Sequence, residues 1–153
     1  MDAKKKVQEL KHLIDTRGLR EAMDTLAAML AERNPAMIQP LLLMRAYRDD
    51  DDYVDEMFTI IHCVEGYEPE IYARALVQTS DTLLANSPYF LTELVERVIN
   101  SEAYAVPFVE ALSKIPSGSK DFLRQLMERV VAIPGLEAST IRNANAALDK
   151  IGR

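Results

Sequence analysis

Three observations predict an all-α protein. Apolar residues recur at helical spacing along most of the chain, strict apolar–polar alternation is almost missing, and glycine is scarce, with five in 153 residues. Breaks carried by Pro, Gly, Asn or Ser fall near residues 17, 34, 50, 67, 87, 102, 117 and 135. One helix with its turn therefore takes about 17 residues and a helical hairpin about 34 to 36, the period of stacked hairpin arrays. The expectation is a single helical domain over residues 1–153, with about eight to nine short antiparallel helices stacked as α-hairpins in a HEAT-like α-solenoid. A compact bundle of the same helices is the alternative. The tetratricopeptide and ankyrin consensus residues are missing, so the likeness is to repeat geometry only.

The first helix is read over Asp2 to Asp15, with Val7, Leu10, Leu13 and Ile14 as its inner stripe, and Thr16-Arg17-Gly18 ends it. The second runs from Leu19 to Arg33. Asn34 then offers an N-cap and Pro35 a first helical residue, where the missing N–H is not needed. Pro40 lies within the first turns of this third helix and predicts a kink or a late start. The fourth helix, Tyr53 to Glu65, is apolar around much of its circumference through Val54, Met57, Phe58, Ile60, Ile61 and Val64, which marks it as central. Gly66 stops it and Pro69 starts the fifth. Asn86-Ser87-Pro88 restarts the chain into a sixth helix ending near Asn100, with Ser87 as cap. The seventh covers Tyr104 to Ile115, with Pro107 placed near its true start. Ser117-Gly118-Ser119 leads into the eighth, Pro134-Gly135 breaks it, and a last helix carries Ile141, Ala144, Leu148 and Ile151.

Bulk composition is that of a globular domain, 48% hydrophobic and 27% charged. The opening Met1-Asp2-Ala3-Lys4-Lys5-Lys6 has no apolar run behind it, and no stretch of eighteen apolar residues occurs, so neither a secretory signal nor a membrane span is read. The lone Cys63 cannot form an internal disulfide and fits a reducing compartment, with the cytosol as the expected location.

Charge is distributed unevenly. Residues 49–102 hold thirteen Asp or Glu against two Lys or Arg, a net −11, while residues 1–48 carry +3 and residues 103–153 carry +2. An acidic middle between weakly basic ends concerns what a protein meets rather than how it folds. Phosphate would be repelled from the centre and the basic residues form no dense stripe, so nucleic acid is not an expected partner. A basic protein is, because complementary charge raises the on-rate and selects the partner.

Catalytic patterns are scarce. No clustered glycines precede a helix to cradle phosphate, and only His12 and His62 exist. His12 reads as a solvated surface residue. His62 has three readings. It pairs with Glu65 as a general base, since positions three apart share a helix face. It begins a metal site, though Cys63 points about 100° away around the helix. Or it is a partly buried histidine bonded to Glu65 or to a tyrosine. Cys63 itself reads as a small core residue. The run Asp49-Asp50-Asp51-Asp52 is no EF-hand loop, since its carboxylates are consecutive and its sixth position is Val54. No cofactor, metal, membrane or small-molecule substrate is expected.

The stretch Met57-Phe58-x-Ile60-Ile61-His62-x-Val64-Glu65-x-Tyr67, then Tyr72, Ser87-Pro88 and Arg97-Val98-Ile99-Asn100, resembles the helical bacterial immunity proteins of polymorphic-toxin and contact-dependent growth inhibition systems, in particular immunity protein family 30. The resemblance covers residues 50 to about 130. It implies a small cytoplasmic antidote, not an enzyme, that binds and neutralises a cognate toxin domain, often a nuclease, by blocking its active site or substrate-binding surface. The acidic middle suits a basic toxin of that kind. The expected toxin-binding residues are Asp49, Asp50, Asp51, Asp52, Asp55 and Glu56, with Glu68 and Glu70 as a second group and Tyr53 and Tyr67 as aromatic anchors. His62, Glu65, Tyr72 and Asn100 are expected instead to form buried hydrogen bonds that set helix packing. The competing readings are a general helical-repeat adaptor for other proteins, and an enzyme built on His62 and Glu65.

Overall fold

Nearly every break in the apolar period becomes a helix boundary. The computed structural model describes residues 3–17, 19–44, 54–115, 120–132, 134–135 and 137–151. Among these residues there are nine α-helices and no strand, so the all-α class holds. Helices α1 (Ala3–Arg17) and α2 (Leu19–Glu32) form a hairpin. Val7 and Leu10 of one and Ala22, Leu26 and Met29 of the other are buried. The Lys6 ammonium reaches both carboxylate oxygens of Glu32 at 2.6 Å across the pair.

Prolines act as start signals in the next segment. Asn34 accepts a hydrogen bond from the Ala36 N–H at 3.0 Å and opens a 3₁₀ turn, Pro35–Met37, which passes into α3 (Ile38–Leu43). Pro40 is the third residue of α3, within the first turn, whose N–H groups have no intrahelical acceptor. The late start expected from Pro40 is what the chain does. Helices α4 (Val54–Glu65), α5 (Pro69–Asn86) and α6 (Pro88–Ile99) follow, the last two with proline at the first position. Ser87 is the N-cap residue of α6 as expected, though without a side-chain capping bond; it is buried where α5 hands over to α6, and its own carbonyl accepts from Leu91 N at 3.0 Å.

Helix α7 (Glu102–Ser113) corrects the sequence reading. It begins five residues before Pro107, with the Ser101 carbonyl accepting from the Tyr104 and Ala105 N–H groups at 3.1 and 2.8 Å. Pro107 lies inside it. Burial of Ala105, Phe108 and Leu112 on one face outweighs the bond that proline cannot donate. Helices α8 (Lys120–Val131) and α9 (Ala138–Ile151) complete the chain.

Odd-numbered helices touch in a continuous row, α1 to α3 to α5 to α7 to α9. On the other side α2 meets α4 and α6 meets α8, while α6 also reaches α9. One apolar cluster runs from Val7 in α1 to Ala147 in α9. Helix α5, packed against α3, α4, α6 and α7, holds the centre that the sequence assigned to α4; α4 still buries Ile60, Ile61, Cys63 and Val64, and α6 buries Phe90, Leu91, Leu94, Val95, Val98 and Ile99. This row of helices brings the C-terminal end of α4 beside α6 and the first turn of α7. Among the described residues, no helix is long and apolar enough to cross a membrane.

Candidate functional site

The carbonyl groups of a helix's last turn need partners from outside the helix. At the end of α4 the Gly66 and Tyr67 N–H groups donate back to the Cys63 and Val64 carbonyls, both at 3.2 Å. The Glu65 carbonyl instead accepts from the Tyr104 hydroxyl of α7 at 2.6 Å. The Glu65 side chain faces α6, where Arg97 grips it with Nε to Oε1 at 2.7 Å and Nη2 to Oε2 at 3.0 Å. A two-pronged guanidinium–carboxylate pair is the strong and directional form of this contact. It raises the basicity of Arg97, the hydrogen bond to Glu65 being the largest cause.

Tyr72 of α5 stands edge-on to Tyr104, with ring centroids 5.6 Å apart and planes at 75°. Its hydroxyl is buried and has no hydrogen-bond partner among the described residues. Burial, followed by the charge of Glu65, pushes its ionisation well above the ordinary phenol range. Tyr104 is displaced the same way by burial and then by Glu65 and Glu68. Asn100, which caps the end of α6, accepts from the Thr140 hydroxyl, and Asn143 donates to the Ile99 carbonyl at 2.5 Å, so α9 closes that end. Glu65, Tyr72, Arg97, Val98, Asn100, Ser101 and Tyr104 together line a concavity of about 440 Å³.

None of the expected contact residues that the structure describes lines this concavity. Asp49, Asp50, Asp51, Asp52 and Tyr53 fall outside the described residues. Asp55 and Glu56 belong to the first turn of α4. Glu68 is the N-cap residue of α5, without a side-chain capping bond, and Glu70 is in that helix's first turn; both are exposed.

Three expectations need correction. Tyr67 is buried at 3% exposure, with its hydroxyl donating to the Asn34 carbonyl at 3.0 Å, so it ties α4's end to the 3₁₀ turn rather than standing ready as a surface anchor. His62 is not a buried packing residue. Its side chain is 68% exposed, with Nδ1 3.7 Å from Glu65 Oε2. One residue of rotation from Ile61 turns it off the apolar face. Tyr72 is buried as expected but lacks the hydrogen bond expected of it.

Glu65 and Asn100 do make inter-helix hydrogen bonds, but not the buried ones expected: Glu65 is partly exposed and Asn100 is exposed. Their partners Arg97, Tyr104 and Thr140 were not singled out from the sequence as partners. A signal existed for Arg97: it is one of two cations in a stretch of thirteen acids, and a cation so placed on an apolar helix finds a carboxylate. Tyr104 and Thr140 carry no such mark. Cys63 is buried as a small core residue, and burial pushes its thiol up to about 11.

Comparison with known proteins adds a family. The model of the family described as Immunity protein 30 matches residues 9–108. Neither the curated proteins nor the solved structures gave a match. The matched stretch begins well before the resemblance over residues 50 to about 130 and stops before its end. It holds the whole acidic middle and every residue lining the concavity. With well over half of its length matched, the chain belongs to the Immunity protein 30 family.

Proposed function

We propose that this protein is a cytoplasmic antidote that binds a basic, nuclease-type toxin domain and neutralises it by covering its active site or substrate-binding surface. Family membership supports an immunity role and a protein partner. The observation that carries the nature of that partner is the net −11 over residues 49–102, all of it inside the matched stretch. An enzyme that attracts RNA or DNA needs positive charge around its active site, and an acidic inhibitor complements that charge. Asp49 to Asp52, Asp55 and Glu56 form the proposed contact edge, with Glu68 and Glu70 as a second group and Tyr53 as an aromatic anchor. No catalytic step is assigned to the chain. The Glu65 carboxylate, 3.7 Å from His62 Nδ1, is already held through both oxygens by Arg97.

The test is growth rescue. Co-expression should protect cells from the toxin domain encoded beside this gene. Changing Asp49, Asp50, Asp51 and Asp52 together to Lys should reduce protection while circular dichroism and the melting temperature stay the same. Full protection by the charge-reversed variant at physiological salt would place the contact edge elsewhere. No protection by the unmodified protein would remove the antidote reading.

A further inference from the structure

Helix α7 reaches the surface with little polar covering. Only Glu102 and Glu110 of its twelve residues are charged, Val106 is 65% exposed, and Ala103 is exposed as well. A helix that is apolar on nearly every side is normally covered, and an apolar patch left at the surface marks an interaction site. Between α5 and α7 runs a groove of about 460 Å³, with Val77, Pro107, Ala111 and Ile115 as its apolar residues. Most of its polar residues have partners: Gln78 is bonded to Gln39 of α3, and Glu110 stands 3.6 Å from Lys114. Glu70 and Arg74 remain. They lie one turn apart on α5 in the order that favours an ion pair. Both are exposed, yet neither side chain has an ion pair or hydrogen bond among the described residues.

Arg74 is set apart by its surroundings. Residues 49–102 hold thirteen acids and two cations, and the other cation, Arg97, is held through both prongs by Glu65. Long-range attraction to so acidic a stretch does not distinguish one basic protein from another. An unpaired guanidinium within it does, because it repels a partner that brings only positive charge there and holds one that brings a carboxylate. We propose that the α5–α7 groove seats an apolar side chain of the toxin domain, with a carboxylate of the toxin beside it bonded to Arg74, and that this contact selects the cognate toxin among basic proteins. The groove contact rests on the reading of this protein as the antidote to a basic toxin. Glu70, from the second group of proposed contact residues, lines the same groove.

Affinity for the toxin domain encoded beside the gene, made catalytically inactive, is measured for the full chain and three variants, with melting temperatures alongside. Net charge and the groove contact make opposite demands on Arg74→Glu. The exchange makes the acidic middle more acidic, so attraction by charge alone would hold or raise the affinity. The contact instead requires a loss of about tenfold, the scale of one hydrogen bond to a charged group, with most of it in faster dissociation. Arg74 is exposed, so the melting temperature should stay the same. Ala111→Phe fills the groove and should weaken binding by a similar factor. Lys5→Glu, a reversal of the same sign at an exposed position of α1, should not weaken it. Affinity of Arg74→Glu equal to or above the original, unchanged affinity of Ala111→Phe, or an equal loss in Lys5→Glu would overturn the groove contact and leave the antidote reading standing. Neither binding nor protection by the unmodified protein would overturn both.

Discussion

Arg97 and Glu65 show how one contact joins two helices that the sequence keeps 32 residues apart. Their side chains are about a third and a quarter exposed, so water screens the pair only in part. Arg97→Ala should lower unfolding stability by about 1–2 kcal/mol, read as a lower urea midpoint, because the fork also leaves a half-buried carboxylate unpaired. Cys63 makes a pH prediction. Its thiol has an ordinary value of 9.0 and is pushed up to about 11 in the folded protein by burial. Below pH 9 both folded and unfolded chains hold the proton, and the contribution is fully present. As pH rises from 9 toward 11 the unfolded chain ionises first, and on the order of 2–3 kcal/mol is lost. Tyr67, pushed up to about 12 by its own burial, acts in the same direction one unit higher. Urea midpoints should therefore fall above pH 9, and the slope between pH 9 and 11 should be shallower in Cys63→Ala. An unchanged slope would mean that the buried thiol is not what titrates.

At the scale of the element, α7 is the informative case. The Pro107 residue marks a start in most helices, yet here the helix begins at Glu102 and runs through it. Proline in a helix interior costs roughly 3 kcal/mol relative to alanine. Its ring lines a groove between α5 and α7 together with Val77 and Ala111. Pro107→Ala should raise stability by about 1–2 kcal/mol, measured as a higher melting temperature. A lower melting temperature would show that the ring's contacts with α5 dominate. The other prolines were legible because they sit where local chemistry alone decides. Pro35, Pro69 and Pro88 each occupy a first helical position, and no neighbour is needed to explain them. Pro107 was misread because the apolar face of Ala105, Phe108 and Leu112 has value only once α5 and α9 are present to cover it.

For the whole molecule, charge segregation sets the expected behaviour with a partner. Exposed carboxylates act at long range and are screened within about 8 Å at physiological ionic strength. Association with the proposed basic toxin domain should therefore slow as salt increases, with most of the change in the on-rate and a smaller one in dissociation. Stopped-flow association at two salt concentrations measures this. An on-rate that does not change with salt would remove steering by the acidic middle. Tyr67 belongs to the same scale: an aromatic next to acidic residues looked like an anchor, but it is consumed inside by Asn34, 33 residues away.

The sequence by itself determined the helical class, most of the described helix boundaries, the buried face of α4 and the acidic middle. Period, caps, prolines and net charge are local or additive properties, and they need no knowledge of which helix lies beside which. Only the tertiary structure decided that Glu65, Tyr72, Arg97, Asn100 and Tyr104 share one concavity, that His62 faces outward and that the Tyr72 hydroxyl is enclosed without a bond. Those facts depend on how α4, α5, α6 and α7 are rotated against one another. A polar side chain gains or loses its partner through a rotation that leaves the apolar pattern unchanged.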